Sequence, residues 1–144
     1  MRKRTFHIVL ALTLLILTGC QTTNQSPVKY DSPITISGYT ESKNLGDFTA
    51  FVSEKSSSII NKYNPLFNKQ VKVILFPSAE ALHKAQGRET APDWSVGNAR
   101  SNGDIWMVNP YCSSVHDYEA MKKILVHEYT HVVVNSVNKN IPTW

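Results

Sequence analysis

Three segments of the chain carry apolar side chains at the three- and four-residue spacing of a helix that buries one face. They predict helices over residues 45–63, 79–86 and 116–137. Ser114 and Asp117 stand before the last of these at the Ser-x-x-Asp spacing of a helix start. The longest two helices are therefore expected to present wide apolar faces to a common core.

Strands are predicted where apolar residues alternate with polar ones or form a short continuous run. Residues 34–39 alternate, and Val71–Phe76 is a mostly apolar run of strand length. Segments 94–100 and 104–108 flank Asn102-Gly103, a dipeptide typical of a tight hairpin. The order strand, helix, strand, helix, hairpin, helix predicts an α+β fold, with a small mixed sheet, an edge hairpin and packed helices.

The start of the chain has the pattern of an export signal. A basic beginning is followed by a mostly apolar run over residues 6–18, shorter than the ~20 residues that span a bilayer. The ending Leu17-Thr18-Gly19-Cys20 resembles a bacterial lipobox, which implies a signal peptide over 1–19 and lipid attachment to Cys20. A secretory signal that is cleaved without lipidation is the alternative. Residues 20–33 are polar and predict a flexible tether.

Charge and composition exclude several classes of protein. The chain has 15 Lys+Arg and 11 Asp+Glu, for a net charge of +4, but three of the basic residues lie within 1–19. The remainder is nearly neutral and has no basic stripe, so we expect no nucleic-acid partner. A hydrophobic fraction of 42% excludes a disordered chain. The two cysteines are Cys20 and Cys112. Lipidation of Cys20 would leave Cys112 as a buried or half-buried packing residue.

One motif carries chemistry. His127-Glu128-Tyr129-Thr130-His131 has the pattern His-Glu-x-x-His within the last predicted helix. Residues four apart lie on one helix face, about 6 Å apart along the axis, so His127 and His131 can bind one Zn²⁺. Glu128 can serve as general base toward a water that the zinc activates for attack on a peptide carbonyl.

The motif and the residues after it resemble a known family. Residues 124–134 look like the active-site helix of zincin metallopeptidases, and Pro142-x-Trp144 resembles the segment that follows it in peptidase MA-like gluzincins. The resemblance covers about 34–144. It implies that the third zinc ligand is a Glu in a Leu-x-Glu-Gly segment beyond Trp144. We therefore expect 34–144 to be the N-terminal part of a metallopeptidase domain that is incomplete.

Other ligand sets fit this chain less well. Metzincins need Gly and His at the positions that Val134 and Val137 occupy. As a third ligand, Glu119 lies about 12 Å from His127 along the helix axis, and His116 lies further still. His83, on a different predicted helix, stays open as an alternative.

The hairpin offers a candidate substrate-binding edge. Zincins bind extended substrates by backbone pairing along a strand beside the active helix. Either 96–100 or 105–108 is that strand here, with Asn98 and Ala99 lining the cleft. The alternative is a purely structural hairpin that packs Trp94 and Trp106 into the core.

The sequence thus predicts a membrane-anchored zinc metallopeptidase outside the cytoplasm of a bacterial cell. Lipid on Cys20 would hold it on the outer side of the cytoplasmic membrane, or on the outer membrane of a Gram-negative cell. Its partners would be that membrane and peptide or protein substrates. The alternative is a surface lipoprotein that binds zinc or a partner without catalysis. Because one ligand is expected beyond Trp144, the chain should bind zinc weakly and have little activity.

Overall fold

A computed structural model of the protein describes residues 32–40 and 45–138. Within these ranges lie the following elements: β1 (Ile34–Gly38), α1 (Gly46–Tyr63), β2 (Val71–Phe76), α2 (Ala79–Ala85), β3 (Gly97–Ala99), β4 (Ile105–Val108) and α3 (Tyr118–Asn135). The predicted signal peptide, Cys20, most of the tether and the Pro142-x-Trp144 segment lie outside the described residues. No helix within the two described ranges is long and apolar enough to cross a membrane.

The four strands form one mixed sheet in the order β1-β2-β4-β3. β1, β2 and β4 are parallel, and β3 runs antiparallel to β4. This confirms the predicted α+β fold with a small mixed sheet and an edge hairpin. It also resolves the two candidates for the edge beside the last helix. β3 lies at the edge, whereas β4 is covered on both sides by neighbouring strands.

The core forms on one face of the sheet, against the two long helices. α1 packs on β1, α3 packs on β3 and β4, and the two helices contact each other. Along β2, Val71, Val73 and Leu75 are buried while Lys72 between them is exposed, as strand alternation requires. Fully buried side chains from both layers join here: Ile34, Phe48, Val52, Val73, Ile105, Met107, Met121, Leu125, Tyr129 and Val133.

Gly38 ends β1 at a position that only glycine can occupy. Its φ is +90°, and a Cβ there would stand 2.5 Å from the carbonyl oxygen of Leu75 on β2. The chain can therefore leave the sheet beside Leu75 without a clash.

The start of α3 differs from the prediction. The side chain of Asp117 caps the helix, since its carboxylate accepts a 2.7 Å hydrogen bond from the backbone N–H of Ala120. Ser114 lies outside the helix and is exposed. The carboxylate at the N-cap also faces the positive end of the helix dipole, which favours Asp there. α3 is therefore two residues shorter at each end than the predicted 116–137.

The two tryptophans of the hairpin region behave differently. Trp94 is 67% exposed, so the expectation that it packs into the core is wrong. It precedes β3, which begins only at Gly97. Trp106 is half-buried and packs against the core, with its ring 5.4 Å from that of Phe76. Cys112 is half-buried and packs against the core, as predicted.

Candidate functional site

Helix α3 presents three different faces to its surroundings. Successive residues are about 100° apart on a helix, so Met121, Leu125 and Tyr129 share the buried face. Ile124 and Glu128 share a second face, which borders a cleft beside β3. A third face points toward α1. The motif therefore lies at the boundary between the buried face of α3 and the face that borders the cleft.

His127 and His131 are brought together as the sequence predicts. Their Nε2 atoms lie 2.9 Å apart, and the ring planes are nearly perpendicular at 85°. Two imidazole nitrogens bound to one tetrahedral zinc at about 2.0–2.1 Å would be about 3.3 Å apart. In this structure the two nitrogens share a hydrogen bond, and their spacing is about 0.4 Å shorter than in a zinc complex. His127 is exposed while His131 is half-buried. The donor pair thus fits a zinc ion reached from the cleft.

Glu128 lies between the helix and the edge strand. Its Oε2 atom accepts a 2.7 Å hydrogen bond from the backbone N–H of Ala99. The strand can approach this closely because residue 97 is glycine. A Cβ on Gly97 would stand 3.1 Å from Cγ2 of Ile124 and 3.4 Å from Cγ of Glu128. The carboxylate is therefore held at the cleft by the backbone of β3.

The open edge of β3 faces the cleft. The amide of Val108 donates to the carbonyl of Val96, and the amide of Arg100 donates to the carbonyl of Asp104. Because antiparallel pairing alternates along a strand, the backbone groups of Gly97 and Ala99 point away from β4. The amide of Ala99 donates to Glu128. The other outward groups are available to an extended chain lying in the cleft.

The cleft has a volume of about 490 Å³ and includes both predicted substrate-binding residues, Asn98 and Ala99. A Cβ at Gly97 would face α3, so strand alternation turns the Asn98 side chain to the opposite face of the sheet. Sequence reasoning missed Arg88, Trp94 and Asn135 as lining residues and considered His116 only as a distant zinc ligand. For Arg88 and Trp94, the one signal was their position in the segment leading to β3.

Of the candidates for a third zinc ligand, His116 lines the cleft together with the histidine pair, and its Nε2 lies 3.3 Å from the carbonyl oxygen of Trp94, whereas His83 and Glu119 do not line the cleft. His83 is 3% exposed, its Nε2 lies 2.8 Å from the carbonyl oxygen of Ser95, and it does not line the cleft, which overturns it as a ligand. Glu119 forms an ion pair with Lys122. Residues 32–40 and 45–138 contain no cluster of three or more His, Cys, Asp or Glu side chains that could hold a metal.

The two middle residues of the motif are structural. Tyr129 is completely buried, and its ring meets that of Phe67 edge-on at 6.3 Å. Its hydroxyl has no hydrogen-bond partner in the part of the chain that the structure describes, and burial raises the pKa of Tyr129 to about 12. Thr130 donates from its hydroxyl to the carbonyl of Val126. Neither side chain reaches the cleft.

Three features therefore meet at one place: a pair of converging imidazoles, a carboxylate tied to the edge strand, and outward-facing backbone groups on that strand. They come from α3 and β3, which pack directly against each other. The chain matches no protein-family model, no curated protein and no solved structure, so these geometric relationships are the grounds on which its function is inferred.

Proposed function

We propose that the protein is a zinc-dependent metallopeptidase of the gluzincin type. The observation that carries the proposal is the 2.9 Å approach of the Nε2 atoms of His127 and His131, one residue away from a carboxylate at the cleft. The pairing is what the His-Glu-x-x-His pattern needs in order to bind a metal and act beside it. The expected substrate is a peptide or protein.

His127 and His131 would hold the zinc ion, and a third protein ligand would come from outside residues 32–40 and 45–138. Zinc bound there supplies a Lewis acid that polarises a carbonyl oxygen and makes a water acidic enough to react near neutral pH. The exposed position of His127 leaves room for a further ligand on the cleft side.

Glu128 would act as the general base and later as the acid. Ala99 engages Oε2, which leaves Oε1 to accept a proton from the attacking water and to return it to the departing amine. The hydrogen bond also fixes the direction in which the carboxylate points. Ala99 is in this view a positioning residue, acting through its backbone amide.

An extended substrate would lie along the edge of β3. The outward amide and carbonyl of Gly97 and the carbonyl of Ala99 could pair with its backbone, as in other complexes in which a peptide adds a strand to a sheet. The sequence of the substrate would then be read by side chains along the cleft, including Arg88 and Trp94.

Two measurements on the full chain test this proposal. Zinc titration is expected to show one weak site, lost in His127→Ala. Any hydrolysis of a generic peptide library should be lost in Glu128→Gln, which should keep the zinc site. Hydrolysis that survives Glu128→Gln would refute the role of Glu128.

A second candidate function is a surface protein that binds zinc without catalysis. It is favoured by the engagement of Glu128 with Ala99 and by the absence of a third ligand among the described side chains. One equivalent of zinc with no turnover of any peptide, in the wild type as in Glu128→Gln, would support this candidate over the peptidase.

We also propose that Cys20 carries a lipid anchor that holds the protein outside the cytoplasm. The supporting observation is the Leu17-Thr18-Gly19-Cys20 sequence after a basic and then apolar start. Radiolabelled fatty acid is expected to enter the wild-type protein in bacteria and not Cys20→Ala. Equal labelling of both proteins would refute the anchor.

A further inference from the structure

A second concave surface lies between α1 and α3, on the side of α3 away from the cleft. We call it the lysine groove; its volume is about 380 Å³. Its floor is apolar and includes Phe51, Ile59 and Val126, all of them half-buried. Three exposed lysines stand along it: Lys55, Lys62 and Lys123. The groove thus combines an apolar floor with a cationic rim.

The charge of the lysine groove is of one sign. Among the described residues, no acidic side chain lines it. Lys55 forms an ion pair with Glu54, whereas Lys62 and Lys123 form no ion pair within 32–40 and 45–138. Two cations are therefore left to attract an anion from outside the molecule.

The lysine side chains lie along aromatic surface. The ammonium of Lys62 stands 5.0 Å from the ring centroid of Tyr63, and that of Lys55 stands 5.6 Å from the ring centroid of Phe51. Long basic side chains that cover apolar surface with their stems and keep the charge outside are typical of groups at a membrane interface.

An exposed apolar tip adjoins one end of the groove. Tyr63, the last residue of α1, is 42% exposed, and Leu66 in the following turn is 87% exposed. A leucine this exposed gains nothing from the fold of the domain itself. It follows Tyr63, which lines the groove, by three residues, and its exposed side chain is available to an apolar phase while anionic headgroups neutralise the lysines.

We propose that the lysine groove and Leu66 together form a docking surface for an anionic phospholipid bilayer. Lys62 and Lys123 would contact phosphate headgroups, and Leu66 would enter the acyl boundary. A second copy of the chain fits less well, because two such surfaces would bring like charges together. An acidic polypeptide would satisfy the lysines but would not account for the protruding Leu66.

The two unpaired lysines provide the test. The full chain is sedimented with vesicles of phosphatidylcholine alone or of equimolar phosphatidylcholine and phosphatidylglycerol. Lys62→Glu/Lys123→Glu is expected to weaken binding to the anionic vesicles at least about tenfold. The matched control, Lys72→Glu/Lys84→Glu, makes the same change in net charge at two exposed lysines on β2 and α2 and should change binding less than twofold. The basic signal segment is common to all samples and cancels in the comparison.

A second pair of variants tests the apolar tip. Leu66→Ser should weaken binding to anionic vesicles several-fold, whereas Val115→Ser, at a valine that is 49% exposed elsewhere, should leave it unchanged. Equal weakening by both lysine pairs would mean that only net charge matters, and would overturn the proposal. Vesicle binding that Lys62→Glu/Lys123→Glu does not alter would also overturn the proposal. If the same variant lost binding to poly-glutamate, the surface would serve an acidic polypeptide instead.

Discussion

The backbone N–H of Ala99 on β3 donates a 2.7 Å hydrogen bond to Oε2 of Glu128 on α3. This bond joins the edge strand to the helix that carries the motif. Gly97 favours it, since a Cβ at that position would stand 3.1 Å from Cγ2 of Ile124. The carboxylate is therefore positioned by the sheet as well as by its own helix.

Glu128 should contribute to stability as well as to chemistry. Glu128→Ala removes the acceptor for the Ala99 amide and is expected to lower the free energy of unfolding by about 1 kcal/mol. Glu128→Gln keeps a carbonyl oxygen that can accept the same bond, and should be within about 0.5 kcal/mol of wild type. Urea unfolding of the three proteins measures the difference. Equal stability of the two variants would mean that the bond to Ala99 does not hold the strand.

Zinc affinity should depend on two of the histidines and not on their neighbours. His127→Ala and His131→Ala are each expected to weaken zinc binding by more than the roughly 10–100-fold that loss of an outer-shell partner causes. His116→Ala, which removes another imidazole from the same cleft, should change affinity less than about twofold. Competition with a chromogenic chelator measures each constant. A large effect of His116→Ala would place the metal elsewhere in the cleft.

The cap of α3 can be identified by a pair of alanine variants. Asp117→Ala removes the acceptor for the Ala120 amide and should lower the free energy of unfolding by about 1 kcal/mol. Ser114→Ala, at an exposed residue outside the helix, should change it by less than about 0.5 kcal/mol. The reverse order in thermal or urea unfolding would restore Ser114 as the start of the helix.

Tyr129→Phe should be neutral or stabilising near pH 7. The buried hydroxyl has no partner in the described part of the chain, so its removal leaves no group unsatisfied. Loss of stability by more than about 1 kcal/mol, measured by urea unfolding at that pH, would show that the hydroxyl has a favourable interaction.

The same variant should alter stability at high pH. Burial raises the pKa of Tyr129 from 10.0 to about 12. The unfolded chain therefore loses this proton at a lower pH than the folded protein does. The contribution of Tyr129 to the free energy of unfolding is fully present below about pH 10 and falls between about pH 10 and 12, by roughly 1.4 kcal/mol per pH unit. Tyr118 also has a raised pKa, chiefly from burial and then from its hydrogen bond to Asp47. Wild type and Tyr129→Phe share that effect, so their difference across this range isolates Tyr129. If the two proteins lost stability in parallel across this range, the raised pKa of Tyr129 would be contradicted.

The spacing of apolar and polar residues along the chain determined several elements of this protein. The predicted 45–63 and 116–137 helices agree with α1 and α3 to within two residues at each end, and Val71–Phe76 is β2 as predicted. The approach of His127 to His131 also follows from sequence, because residues four apart must share a face once a helix forms. These features depend on the repeat of the backbone and on which side chains avoid water.

Tertiary structure decided the relationships between distant segments. Whether β3 or β4 lies at the edge depends on how the parallel strands pair, and Ala99 meets Glu128 only because α3 packs on that edge. Trp94 is exposed although the alternative of a purely structural hairpin placed it in the core. Burial and hydrogen bonding between elements are set by the packing of whole layers, so no local pattern of residues could determine them.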